Sequence, residues 1–248
     1  MQTNAPLAER LRPKTLENFI GQHHLVGNQS VLRQMIENKK LSSLIFWGPP
    51  GVGKTTLAHI IANESNLPIY NLSAIESGVK DIRNVIDKAK EIGKAILFID
   101  EIHRFNKAQQ DSLLGAVEKG IITLIGATTE NPSFEVIAPL LSRCQVYILK
   151  HFNETELLQL LHQALLNDEW LKQFSIEIKE HTALLQMSGG DARKLLNLLE
   201  LIIQSVNQTE NIFITDELVM KILQKKMALY DKSGEQHYDI ISAFIKSI

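Results

Sequence analysis

The chain has 248 residues, 44% of them hydrophobic, which is enough to bury a full core in one large domain with room for a smaller one. Its single cysteine, Cys144, excludes an internal disulfide framework and any multi-cysteine zinc module, and it fits a reducing compartment. A formal net charge of −2 argues against a free-standing basic nucleic-acid domain, so any DNA contact has to be local or pooled among subunits around a channel.

In chain order, short apolar runs alternate with helical spacing over the first half. Leu44 to Trp47, Ile69 to Leu72, Ala95 to Ile99, Ile121 to Gly126 and Gln145 to Leu149 read as strands. Lys54 to Asn63, Val79 to Ile92, Ala108 to Glu118 and Phe134 to Leu141 read as helices between them. That alternation predicts an α/β fold, a parallel five-stranded sheet with crossover helices on both faces. After Lys150 helical spacing takes over, at Glu154 to Leu166, His181 to Met187, Ala192 to Ile203 and Asp216 to Leu223, which predicts a small all-α lid. Asp191 is placed to cap the third of these helices and Thr215 the fourth. The expected organisation is an α/β domain over 1–150, a helical lid over 151–232, and from 233 to 248 the start of a further region. There Tyr238, Ile241, Phe244, Ile245 and Ile248 share a helical face that stops before any cap, as in a truncated chain. None of the apolar runs approaches the length of a bilayer span, and the expected location is the cytoplasm.

Gly48-Pro49-Pro50-Gly51-Val52-Gly53-Lys54-Thr55 follows the first strand and opens a helix, the setting of a phosphate-binding loop. Glycines let backbone N–H groups turn toward phosphate oxygens, and the helix N-terminus adds its dipole. Lys54 is expected to bridge the β and γ phosphates of ATP, Thr55 to offer its hydroxyl to Mg²⁺, and Thr56 to lie near the α phosphate. The third strand delivers Asp100 and Glu101 at its C-terminal end, where open α/β sheets bind ligands. Asp100 suits the Mg²⁺ shell and Glu101 the orientation of an attacking water. Asp100-Glu101-Ile102-His103 also reads as a helicase box, but such helicases need a second α/β lobe that is not visible here. His103 reads as a hydrogen-bonding support, because Glu101 already occupies the base position. Thr128 and Thr129, ending the fourth strand, are both candidates to sense the γ phosphate. Arg143 and Arg193 offer the charge that suits a phosphoryl transition state.

With these elements in order, the chain resembles AAA+ ATPases of the clamp-loader clade, and most closely the replication-associated recombination protein A family. The runs that carry the resemblance are Pro6 to Pro13, Phe19 to Gln22, the phosphate loop, Asp100 to Lys107 with Gln109 to Asp111, and Gly126 to Phe134. Ser142-Arg143, Gly189 to Arg193 and Tyr230 to Lys232 complete it. The resemblance implies an adenine side formed by Arg10 to Pro13, with Arg12 and Pro13, and by Phe19 to Gln22, with Ile20. It implies Arg143 as a finger supplied to a neighbouring subunit, Arg193 as a sensor in the lid, and Thr129 as the likelier strand-end sensor, with Thr128 remaining open. It also implies single-stranded, gapped or forked DNA and single-stranded-DNA-binding protein as partners, a homo-oligomer in the full-length form, and a nucleoid-associated, cytoplasmic location.

On the helix from Gly78, the stripe Val79, Ile82, Val85, Ile86 and Ala89 is expected to face the core. Lys80, Arg83, Lys88 and Lys90 then face solvent, interleaved with Asp87 and Glu91. Clamp-loader relatives place this helix and the start of the next near the DNA backbone, which adds Arg104 and Lys107. The rival readings are a Holliday-junction branch-migration motor, which shares the G-P-P-G loop and the D-E-I-H-R strand end, a clamp-loader subunit, and an ATP-gated scaffold. Glu101 and Arg143 argue against the scaffold, which needs neither.

Overall fold

The structure is a computed structural model that describes residues 5–74, 77–206 and 211–231, the last six of these as backbone only. The stripe from Tyr238 to Ile248 lies outside the described residues. Three short helices come first, α1 (Leu7–Arg10), α2 (His23–Val26) and α3 (Val31–Glu37). Strand β1 (Leu44–Trp47), α4 (Lys54–Ser65), β2 (Ile69–Ser73), α5 (Val79–Ile92), β3 (Ala95–Asp100), α6 (Lys107–Glu118) and β4 (Ile122–Thr128) follow. The turns α7 (Pro132–Glu135) and α8 (Ala138–Leu141) lead to β5 (Gln145–Ile148). The five strands form one parallel sheet in the order β2-β3-β4-β1-β5.

Side chains alternate across a strand, and here the alternation sorts the core into two layers. Leu44, Phe46, Ile96, Phe98, Ile125 and Ala127 face one side and pack with Leu57, Ile60 and Ile61 of α4. Ile45, Leu97, Ile99 and Leu124 face the other and pack with Ile82, Val85, Ile86 and Ala89 of α5 and Leu113 and Ala116 of α6. Each fully buried aliphatic side chain contributes roughly 1.5–3 kcal/mol relative to exposure, so the sheet is a rigid base for whatever its ends carry.

The expected helix from Phe134 to Leu141 is corrected to two turns, α7 and α8, separated at Val136 and Ile137. Pro139 has no N–H to donate to the Glu135 carbonyl, and its ring would crowd that carbonyl in a continuous helix. The freed Glu135 carbonyl accepts instead from Gln110 Nε2 at 3.0 Å.

Beyond Lys150 come α9 (Glu154–Asn167), β6 (Ile176–Ile178), α10 (Thr182–Ser188), α11 (Ala192–Ser205), β7 (Ile212–Ile214) and α12 (Asp216–Asp231). The expected helices are present, and a two-stranded parallel ladder of β6 and β7 joins them. Asp191 accepts the Lys194 N–H at 2.9 Å and Thr215 the Leu218 N–H at 3.2 Å, so both caps stand where the residue types place them. Leu195, Leu199, Ile202 and Ile203 of α11 share one core with α4 and the sheet, which seats the helical part over one end of the strands.

Candidate functional site

The phosphate loop leaves β1 at its C-terminal end, between β4 and β5, and its shape depends on glycine at two points. Gly51 and Gly53 have φ of +68° and +99°, a region other residues enter only with strain. A Cβ on Gly51 would stand 1.8 Å from Asp191 Oδ1, and one on Gly53 would stand 2.9 Å from the Phe19 ring. The Ala192 N–H donates to the Gly51 carbonyl at 3.2 Å, so the start of α11 rests directly on the loop. Gly48 is tied to the neighbouring strand, its N–H donating to the Thr128 carbonyl at 3.1 Å.

Lys54 is 7% exposed, and its Nζ donates to the carbonyls of Gly48 at 2.6 Å and Pro49 at 2.7 Å. Burial pushes its ammonium down from the usual lysine range, while the charges of Glu101 and Asp100 work against that shift. A buried cation whose hydrogen bonds go to neutral carbonyls is a strong receptor for an anion.

Asp100 ends β3, and its Oδ1 accepts the Glu101 N–H at 3.2 Å. Glu101 turns sharply at φ +54°, unusual for a residue with a side chain, and opens a 3-10 turn, Ile102–Arg104. That turn carries His103 back between Glu101 and the end of β4. His103 Nε2 lies 3.3 Å from Glu101 Oε2 and its Nδ1 lies 3.0 Å from Thr128 Oγ1. Thr128 is fully buried and also accepts the Glu130 N–H at 3.0 Å, whereas Thr129 is half-buried and closer to solvent.

One cleft gathers most of the expected site residues. At its phosphate end stand Pro50, Gly51, Gly53, Lys54, Thr55, Thr56, Asp100, Glu101 and Arg193. At its other end Leu11, Arg12, Pro13, Phe19 and Ile20 form the wall. Gly21 and Gln22, just after this wall, are pinned to the start of the helical part, with Gln22 Nε2 donating to the Lys150 carbonyl at 2.6 Å and its Oε1 accepting the Lys150 N–H at 2.9 Å. Gly48, Pro49 and Val52 belong to the loop but do not line the cleft, and Val52 is fully buried beneath it. Arg10 is also turned away, toward Asp168 and Glu200.

Besides Ala8, Asn18 and Ala192, sequence reasoning missed four lining residues of the helical part, Phe152, Leu160, Gln163 and Leu196. For Leu160, Gln163 and Leu196 the only local signal was the spacing of α9 and α11, which does not say what lies opposite. The donor set suits a magnesium nucleotide: a buried ammonium, a threonine hydroxyl and a carboxylate at the polar end, and a wall carrying Leu11, Pro13, Phe19 and Ile20 at the other.

Arg143 is not in this cleft. It lies in the turn before β5, whose first residue Gln145 pairs with Leu44, so it stands at the opposite end of β1 from the phosphate loop, at least about 13 Å away along strands that rise ~3.3 Å per residue. Its guanidinium is paired with Glu118 at the end of α6. Lys80 and Arg83 on α5, with Arg104 and Lys107, are exposed and form no ion pair among the described residues. Gln109 Nε2 donates to the Ser77 carbonyl at 2.7 Å, which holds the starts of α5 and α6 side by side.

Residues 44–152 match the family model described as ATPase family associated with various cellular activities, and residues 171–248 match one described as AAA C-terminal domain. The chain is 50% identical, over 98% of its length, to the replication-associated recombination protein A of Coxiella burnetii, covering 57% of that protein. It is 43% identical, over 99% of its length, to the protein of that name from Escherichia coli K12, again covering 57%. It therefore spans little more than half the length of these relatives. The solved RuvB Holliday junction branch migration motor of Thermotoga maritima is similar at 30% identity with a TM-score of 0.72, over 87% of this chain and 72% of that one.

Proposed function

The chain belongs to the AAA+ ATPases, within the replication-associated recombination protein A family, and from that premise we propose that it binds Mg-ATP and hydrolyses it as the core of a DNA-dependent motor acting at stalled forks or gaps. The observation that carries this reading is the meeting of Lys54, Thr55, Asp100, Glu101 and Arg193 in one cleft.

In this reading Lys54 exchanges its two loop carbonyls for phosphate oxygens, which stabilise its charge better than neutral acceptors do. Thr55 and Asp100 hold Mg²⁺, which when bound neutralises charge on the phosphate oxygens. Glu101 accepts a hydrogen bond from the attacking water and turns it toward the phosphorus, and His103 fixes the carboxylate from behind. Thr129, closer to solvent at the end of β4, reads the γ phosphate, while Thr128 is engaged with His103. Arg193, at the start of α11, adds charge from the lid. Arg143 is too far to serve its own cleft and completes that of a neighbouring copy, where such a finger is worth about 10³ to 10⁵ in rate. The homo-oligomer follows from that requirement.

The same reading divides the chain into an α/β domain over 1–150, a lid over 151–232 and the start of an assembly region over 233–248. It includes single-stranded, gapped or forked DNA as the effector, held by Lys80, Arg83, Arg104 and Lys107, and association with single-stranded-DNA-binding protein in a nucleoid-associated, cytoplasmic setting. No helix among the described residues is long and apolar enough to cross a membrane.

The test is steady-state ATPase activity of the full-length protein with and without gapped or forked DNA, repeated with Arg143→Ala. Stimulation that disappears in the variant supports a DNA-coupled motor with shared sites. Absence of stimulation in the parent protein removes the DNA-dependent part of the proposal and favours the ATP-gated scaffold.

A further inference from the structure

Residues 7–20 run as a strap across the base end of the cleft. Ala8, Leu11, Arg12 and Pro13 line the cleft near its start, and Phe19 at its far end rests its ring against Gly53 of the phosphate loop. Arg10 sits among the lining residues but points the other way. Its Nε and Nη2 donate to the two oxygens of Asp168 at 2.8 and 3.0 Å, a planar fork-to-fork pair. Its Nη1 donates to Glu200 Oε1 at 2.8 Å and to the Ala5 carbonyl at 2.6 Å, and its guanidinium lies 5.7 Å from the centre of the Trp170 ring.

The partners are themselves held. Glu200, on α11, accepts the Leu7 N–H with both oxygens at 3.1 Å. Asp168, at the end of α9, accepts the N–H groups of Trp170 at 3.2 Å and Leu171 at 3.1 Å. Side-chain exposure is 13% for Arg10, 3% for Asp168 and 15% for Glu200, so solvent contributes little and the geometry is set by the network. Leu7 is fully buried and α1 packs on α11. One end of the strap is thus fastened to the helical part and the other lies on the phosphate loop.

We propose that Arg10 is a positioning residue for the nucleotide base: by tying α1 to α9 and α11 through Asp168 and Glu200, it fixes the wall formed by Leu11, Arg12 and Pro13. Affinity for the base then depends on the tie, while affinity for the triphosphate depends on the phosphate loop with Asp100, Thr129 and Arg193, none of which Arg10 touches. The inference rests on the reading of the cleft as a nucleotide site, and it separates two contributions that the reading leaves joined.

The experiment uses full-length protein and two probes, ATP and inorganic tripolyphosphate, each with Mg²⁺. Arg10→Met keeps the apolar stem and removes the fork, and Arg10→Lys keeps the charge without the fork. Arg10→Met should raise KM for ATP about tenfold with kcat within about twofold of the parent, a split that marks loss of binding shared by ground and transition states. The inhibition constant for tripolyphosphate should stay unchanged, and Arg10→Lys should restore part of the ATP affinity. A KM unchanged in Arg10→Met, or a parallel loss of tripolyphosphate binding, would overturn the proposal. If Arg10→Met fails to fold, Glu200→Gln weakens the same tie, and it should raise KM for ATP about two- to threefold with tripolyphosphate unaffected; an unchanged KM there also overturns it. Parent protein that neither hydrolyses ATP nor binds tripolyphosphate would overturn the reading of the cleft itself.

Discussion

His103 holds Glu101 through its Nε2, 3.3 Å from Glu101 Oε2, and it is itself held by Thr128. A carboxylate accepts, so Nε2 faces Glu101 as the donor, while Nδ1 meets Thr128 Oγ1, whose hydroxyl also reaches the Glu130 carbonyl at 3.2 Å. Thr128 belongs to the strand whose carbonyl receives the Gly48 N–H, so the phosphate loop, β4 and Glu101 form one hydrogen-bonded path. His103→Leu should lower kcat roughly 10- to 100-fold with KM little changed, the scale expected when a reacting group is misplaced by about 1 Å. His103→Gln, which retains a donor, should recover much of it. Steady-state kinetics of the two variants decides, and a change in KM alone would make His103 a binding residue.

Lys54 is a buried cation that waits on neutral acceptors, so it costs the ligand-free fold rather than supporting it. Lys54→Met should leave the unfolding temperature unchanged or raised, because a well-packed apolar chain is often no worse than a buried charge. The rise in unfolding temperature on adding Mg-ATP should vanish. For the parent protein that rise corresponds to about 2.7 kcal/mol at a ligand concentration about 100 times Kd. Thermal unfolding with and without Mg-ATP reads both effects, and a retained shift in the variant would remove Lys54 from nucleotide binding.

Gly51 combines a left-handed backbone with the contact to Asp191, so Gly51→Ala meets two obstacles at once. The backbone contributes roughly 1–2 kcal/mol and the overlap adds to it. Chemical denaturation should show a lower midpoint for Gly51→Ala, and Asp191→Ala on the same background should recover the overlap less about 1 kcal/mol for the lost α11 cap. A midpoint for Gly51→Ala equal to that of the parent protein would contradict both contributions.

How much of this was legible in the sequence depends on whether the signal was local. The five strands, the loop and the Asp100-Glu101 pair are continuous runs, and each stands where its pattern predicts. The break at Pro139 was legible from proline chemistry but was hidden by apolar spacing that runs across it. The ladder of β6 and β7 joins two three-residue strands, too short for a period of two to show. The partners of Arg10, Asp168 and Glu200, lie 158 and 190 residues away, and nothing local to Arg10 marks them. The same holds for Gln163 and Leu196, which reach the cleft only because α9 and α11 fold over it.

The tie between Arg10 and Asp168 has a pH signature. Burial alone would raise the Asp168 carboxyl, but the Arg10 hydrogen bonds, the Leu171 and Trp170 N–H groups and the Arg10 charge outweigh it and hold the carboxyl below its ordinary value of 3.8. A carboxyl lowered in the folded state stabilises above its unfolded pKa and loses that contribution as pH falls through the folded value. Stability should therefore drop below about pH 4, and Asp168→Asn should remove part of that drop while being less stable at pH 7. Denaturation midpoints from pH 2 to 7 test this, and parallel curves for the two proteins would contradict it.

The central claim is that Glu101 orients the attacking water in a cleft that binds Mg-ATP without it. The direct measurement is Mg-ATP binding and turnover in Glu101→Gln, which keeps the size of the side chain and removes its charge. Binding should match the parent protein while turnover falls about 100-fold or more; turnover at the parental rate would contradict the claim.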